Sequence, residues 1–362
     1  MYGLLIREGK NRGSFKNIGD YVQSIAQRQF LRNKKTRFID IEELSDFESE
    51  ERVNLIMNGW FTWNCSKFLP PKCINPLFVS FHLTPPKAKD FFTPEIIEYL
   101  KRYQPIGARD TLTMQMMKEH GIDSYFSGCL TLTLGKEYKT GIHDGKVLIV
   151  DPYIEFGGDK SLNLFSKVWN TIRFCIKYYN VAMKLKDNFI NQDMLPRVRN
   201  RISRKLEHFI ETATFYAIYS QRFSNDIIMN ATYISVIVDN YISNEEKFKL
   251  ADSMLKEYAN AKCVITSRLH VSFPCLAVGT KNIFVIPSLR TEEKDVRRYS
   301  GRLKGLEDTV TVLELDRGKL INMQDVLPEV ITIDNFPENK EGYKFYEKNL
   351  IEIVENFVNS NC

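Results

Sequence analysis

Cys263-Val264-Ile265-Thr266-Ser267-Arg268-Leu269-His270 is the stretch on which the fold is read. The run 262–266 has the length and apolar content of a buried strand. From Leu269 to Val278 the chain reads as a helix. The polar corner between them is the elbow of a strand-to-helix unit. Ser267 is placed to cap the helix, whose first backbone N–H groups then face outward as an anion site. Arg268 adds a bidentate donor for carboxylate or phosphate. His270 brings an imidazole, whose ordinary pKa of ~6.5 suits proton transfer. Ligands of open α/β sheets bind beyond the carboxyl ends of strands, which is where this corner falls. An Arg paired with a carboxylate and a core His also fits the same residues.

Outward from the elbow, 282–286 is the next strand. The run 244–259 is a helix capped by Ser243, with Phe248, Ala251, Leu255 and Tyr258 on one face. The run 147–151 is the first strand of this second unit. The first half has the same rhythm, with strands at 2–6, 37–41, 53–57, 77–83 and 106–109. Helices open at Asn17-Ile18-Gly19-Asp20, at Pro94 and at Thr111, the last read as a cap. Such a βαβ alternation implies a mostly parallel sheet flanked by helices. A chain of 362 residues is long for one core, and two domains of ~150 residues are expected. A helix at 343–358 has the length to pack back on the first domain.

Composition narrows the class. A 43% hydrophobic and 26% charged chain is that of a globular protein. The seven cysteines form no C-x-x-C pair, and the five histidines have no zinc-type spacing, so neither a disulfide framework nor a structural metal is expected. No secretory signal and no run of ~20 apolar residues is present, so a cytoplasmic location is expected. The segment 160–222 departs from the average. It holds 12 Lys and Arg against four Asp and Glu, interleaved with aromatics such as Phe165, Trp169 and Tyr179. It fits a helical insertion with a solvated face. It also fits contact with an anionic membrane surface, peripheral on the inner face of the cytoplasmic membrane. No nucleic-acid signature accompanies the charge.

Other elbows carry chemistry of the same kind. Arg109-Asp110 follows a short strand. Arg109 is placed to hold an anionic group, and Asp110 to accept a proton or orient Arg109, although an ion pair holding a loop fits equally. Asn17, Gly19 and Asp20 form a third corner. Gly19 permits close backbone approach, and Asp20 can act as a base or bind a hydroxyl. Trp60 offers a sugar-stacking face or ordinary core packing, and His82 ends a strand toward the same crevice.

Taken together, these pieces resemble the polysaccharide pyruvyl transferase family. The resemblance rests on Asn17-Ile18-Gly19-Asp20, Gly107-Ala108-Arg109-Asp110, Ser127-Gly128-Cys129-Leu130-Thr131, Thr266-Ser267-Arg268-Leu269-His270 and Pro274-Cys275-Leu276-Ala277. Asn58-Gly59-Trp60-Phe61 and Ser80-Phe81-His82 look like its bacterial capsule-locus branch. The resemblance implies an α/β fold of two Rossmann-like domains facing a cleft, similar to GT-B glycosyltransferases. The first would span 1–142 and the second 143–335, with the basic helical insertion at 160–222, while 336–362 returns to the first. It implies phosphoenolpyruvate as co-substrate, with no metal and no cofactor, and a sugar diol on a lipid-diphosphate-linked oligosaccharide as acceptor. The product would be a cyclic pyruvate ketal. The family's donor-binding arginine and histidine fall on Arg268 and His270, and a further arginine on Arg109. By this reading Ser267, Asn17, Gly19, Trp60 and His82 bind substrate, while Asp110 or Asp20 takes the sugar proton. Two other functions share these features: a nucleotide-sugar glycosyltransferase of the GT-B type, and a non-catalytic scaffold at the membrane.

Overall fold

The computed structural model describes residues 1–8, 15–159, 161–190, 201–239, 242–288, 303–322 and 326–361. Of 15, 16, 86, 87, 187–190, 201–205 and 239 it describes the backbone alone. Parts of the basic segment, 160 and 191–200, therefore lie outside the described residues.

The strands of the N-terminal half are β1 (Tyr2–Ile6), β2 (Phe15–Asn17), β3 (Thr36–Asp40), β4 (Val53–Ile56), β5 (Gly59–Trp60), β6 (Ile74–Leu77), β7 (Phe81–His82), β8 (Ile106–Ala108) and β9 (Ser124–Phe126). Two parallel sheets result, ordered β3-β1-β4-β6 and β5-β7-β8-β9. They adjoin along the chain, because β5 resumes β4 and β7 resumes β6 after short breaks. Met57 N donates to Leu77 O at 2.7 Å and Gly107 N to Phe78 O at 3.0 Å across the breaks. The apolar run 77–83 is thus two strand ends rather than one strand. Ser80 turns between them at φ 53, a left-handed conformation that no ladder accommodates.

The C-terminal half contributes β10 (Val147–Val150), β11 (Thr232–Ile234), β12 (Ile237–Asp239), β13 (Cys263–Thr266), β14 (Lys281–Pro287), β15 (Thr311–Asp316) and β16 (Lys319–Asn322). Its sheet runs β11-β10-β13-β14-β15-β16, parallel except for the last strand. The fold is therefore mixed α/β built on parallel sheets. In both halves the first strand lies between the second and the third, which leaves a crevice at its carboxyl end. β10 and β13 are buried at every position, as strands covered on both faces must be. The hairpin β15–β16 turns at Arg317 (φ 47) and Gly318 (φ 75), two left-handed residues in succession.

Four helices lie between the sheets: Gly19–Arg28, Asn244–Asn260, Leu269–Val278 and Tyr343–Ser360. Their Val22, Leu255, Val271 and Val354 share one apolar cluster with Leu4 of β1 and Leu148 of β10, so one core serves both halves. On the outer face of the C-terminal sheet, Phe215 and Tyr219 of the helix Arg201–Tyr219 cover Ile149 and Ile265. Ser243 forms a full capping box with Glu246. The helix Tyr343–Ser360 is held to β1, where Tyr2 Oη donates to Val358 O at 2.9 Å. One antiparallel ladder joins the halves directly, pairing β2 with β12.

Two expected caps are corrected. The helix Thr111–Glu119 is capped by Asp110, whose carboxylate accepts from Thr113 N at 2.8 Å. Asp110 takes this place, not Thr111, because the strand ends one residue earlier than expected, at Ala108. Ser267 does not cap the helix Leu269–Val278; Arg268 stands at the N-cap, with no side-chain cap bond.

Candidate active site

The side chains that the sequence singles out lie at the carboxyl ends of parallel strands. Trp60 closes β5, His82 closes β7, Arg109 and Asp110 follow β8, and Ser267 and Arg268 follow β13. Asn17, Gly19 and Asp20 open the helix that returns from β2. They form three groups.

The first group is buried. His82 Nδ1 is 2.6 Å from Asp110 Oδ2. An ionised carboxylate only accepts, so Nδ1 carries the hydrogen. With Oδ1 capping the helix, both oxygens of Asp110 are engaged. Burial alone would raise this carboxyl's pKa. The charge and hydrogen bond of His82, the neighbouring Arg109 and the Thr113 amide outweigh burial and hold it below the ordinary carboxylate range. Asp110 is therefore suited to orienting His82 and Arg109, and poorly suited to taking a proton.

Arg109 is 3% exposed. Its Nε stands 4.0 Å from Asp110 Oδ2, too far for a hydrogen bond. Neither Nε nor Nη2 has a hydrogen-bond partner among the described residues. Burial pushes its pKa down, while Asp110, Cys129 and Asp20 oppose the shift. A guanidinium stays charged in proteins, so this is a desolvated cation with donors to spare. Such a group costs stability until an anion meets it.

The second group is a chain of contacts between the halves. Arg268 Nε donates to Asp151 Oδ2 at 2.8 Å. The Ser267 hydroxyl donates to the backbone oxygen of the same Asp151 at 2.5 Å, which is why it does not cap the helix. Asp151 follows β10 at φ 41, a conformation that Asp tolerates better than most residues. Its Oδ2 also accepts from Val236 N at 3.2 Å. Val236 O in turn accepts from Ile18 N at 2.7 Å. Next along the chain, Gly19 N donates to Asn17 Oδ1 at 2.8 Å. A Cβ on Gly19 would lie 3.2 Å from His270 Cβ and 3.3 Å from its Nδ1, so close approach of the imidazole explains the glycine. His270 itself departs from helical geometry at ψ 19. Pro274, four residues on, has no N–H to give the His270 carbonyl, so that carbonyl has no helical donor from position 274.

A family model described as polysaccharide pyruvyl transferase matches residues 17–288. The chain belongs to that family. The match opens on Asn17 and runs past Arg268 and His270, so it takes in the elbows of both halves. No curated protein and no solved structure matches the chain. Membership of the pyruvyl transferases favours neither the nucleotide-sugar glycosyltransferase nor the scaffold.

The third group of this pyruvyl transferase lines a small open cleft, with Arg7, Asp20, Gln23, Asn58 and Trp60 around it. Arg7 follows β1 and organises the cleft. Its Nη2 donates to Trp60 O at 2.9 Å, its Nη1 lies 3.5 Å from Asp20 Oδ2, and its Nε 3.3 Å from Glu42 Oε1. Its guanidinium carbon also sits 5.2 Å from the centre of the Trp60 ring. Asp20 links this cleft to the first group, since its charge acts on Arg109. Sequence reasoning passed over Arg7 and Asp151. Both are charged residues directly following an apolar strand, the same signal that picked out Arg109 and Arg268. Among the described residues there is no cluster of three or more His, Cys, Asp or Glu that would hold a metal ion.

Proposed function

We propose that the protein transfers the enolpyruvyl group of phosphoenolpyruvate to a sugar diol on a lipid-diphosphate-linked saccharide, forming a cyclic ketal for a surface polysaccharide. The observation that carries the donor is Arg109, a buried guanidinium with two nitrogens left without acceptors among the described residues. Phosphoenolpyruvate brings a carboxylate and a phosphate. Arg109 would take one, and Arg268 with the helix start at Leu269 the other.

In the reaction one sugar hydroxyl attacks C2 of the donor and the C2–O bond to phosphate breaks. A second hydroxyl closes the ring on C2. The two hydroxyl protons end on C3, which becomes a methyl group, and on the departing phosphate. His270 would supply the proton to phosphate or to C3. Asp20, partly exposed beside Trp60 and free of any helix cap, is the better base of the two carboxylates considered. Asn17 and Gly19 would set the position of His270 beside it, and Trp60 would meet the sugar. No step calls for a metal or a further cofactor.

The common order of the first three strands supports reading the halves as two Rossmann-like domains, GT-B-like in arrangement, divided near 142. Among the described residues no helix is long and apolar enough to cross a membrane. The test is incubation with phosphoenolpyruvate and a lipid-linked galactoside, following phosphate release and the mass of the glycan. Gain of one pyruvyl ketal per acceptor is expected. A protein stabilised by nucleoside diphosphates and indifferent to phosphoenolpyruvate would be a glycosyltransferase instead.

A further inference from the structure

The helix Leu164–Lys177 carries a row of large apolar side chains that the fold does not cover. Leu164 is 74% exposed, Phe165 81%, Trp169 61% and Ile176 74%, and Val168 and Ile172 are exposed with them. At ~100° per residue these six fall within an arc of about 140°, one continuous face. Tyr179 and Met183 of the following helix, Tyr179–Ile190, are exposed as well. The helix Arg201–Tyr219 exposes Leu206 but buries its Phe215 and Tyr219 under the C-terminal sheet, so among the described residues of the segment the apolar exposure is concentrated on the first two helices. Soluble surfaces seldom expose so large an apolar patch without a partner.

Charge decides which partner. From 161 to 186 the chain has no Asp or Glu, and it carries Lys167, Arg173, Lys177, Lys184 and Lys186. Of these, Arg173, Lys177 and Lys184 are exposed. A second copy packed face to face about a two-fold axis would bring like charges together. An anionic surface would take the apolar face and the basic flank together. We infer that the face of Leu164–Lys177 lies in the interfacial layer of an anionic lipid bilayer, its apolar row inserted and its basic residues at the headgroups. The inference stands on this face alone and does not depend on the reaction.

The full-length protein is to be sedimented with phosphatidylcholine vesicles, with and without about one third phosphatidylglycerol. Binding to the anionic vesicles only, weakened by salt, is expected. Phe165→Ser/Trp169→Ser/Ile176→Ser should weaken it about tenfold or more, and Arg173→Gln/Lys177→Gln/Lys184→Gln by a similar factor. Circular dichroism checks that each variant is folded. Brominated lipid should quench the wild type more than Trp169→Phe, which keeps the test independent of the triple variants. Three results would each overturn the inference: no wild-type binding to anionic vesicles, equal binding by the folded apolar variant, or a wild-type dimer that this variant turns into a monomer while vesicle binding is absent.

Discussion

Two arginines end strands in the two halves, and their surroundings are opposite. Arg109 is buried, next to a carboxylate already engaged by His82 and a helix cap. Arg268 is half-exposed and held by a direct bond to Asp151. The buried one is fixed and short of acceptors; the exposed one is satisfied and able to exchange its partner. The difference assigns them unequal work. A desolvated cation acts strongly on charge that develops beside it, whereas a solvated, paired one contributes mainly to capture and orientation.

Arg109→Met tests this contrast hardest. It should lower kcat/KM for phosphoenolpyruvate by about 10³ while leaving the melting temperature equal or higher, because the apolar chain removes an unmet buried charge. A loss of stability parallel to the loss of activity would mean that Arg109 holds the fold rather than the donor. Asp110→Asn comes next and should cost about 3 kcal/mol of unfolding free energy at pH 7, read from urea melts. The native pKa of Asp110 is depressed, so the wild-type advantage is full above the ordinary carboxylate value. It disappears as pH falls from there through the lowered native value. An advantage that grew on acidification would reverse the assignment. His270→Ala should reduce turnover about 10²-fold with little change in stability, since the imidazole is only half-buried. The smallest effect is expected from Asp151→Asn, about a tenfold weaker apparent affinity for phosphoenolpyruvate with kcat nearly unchanged. If kcat fell instead, Arg268 would belong with Arg109 as a group acting in the transition state.

The same contrast explains what was legible in the sequence. The elbow at Arg268 and His270 could be read because strand, corner and helix are consecutive, and the helix Leu269–Val278 has the bounds read from the sequence. The partner of Arg268 could not, because Asp151 is 117 residues away and only the pairing of β10 with β13 brings it near. The cap at Asp110 depended on where β8 stops, a boundary of one residue. The break in 77–83 turns on the backbone of Ser80, which no apolar pattern records. The hairpin β15–β16 did carry a signal, in the alternation Leu313-Glu314-Leu315-Asp316 before Arg317-Gly318, and went unread. Arg7 was visible only as the first charge after an apolar run, and its role emerges from Trp60 and Asp20 arriving beside it.

The ladder between β2 and β12 has a mechanical consequence. It stitches the two halves together three residues deep and ends at Asn17, directly before Ile18 and Gly19. The ladder adds a backbone tie to the apolar core that the two halves already share. The chain leaves the ladder only two residues before Gly19, which packs against His270. Parting the halves would have to break the ladder and open the core they share, so the imidazole keeps its distance from the elbow that positions it.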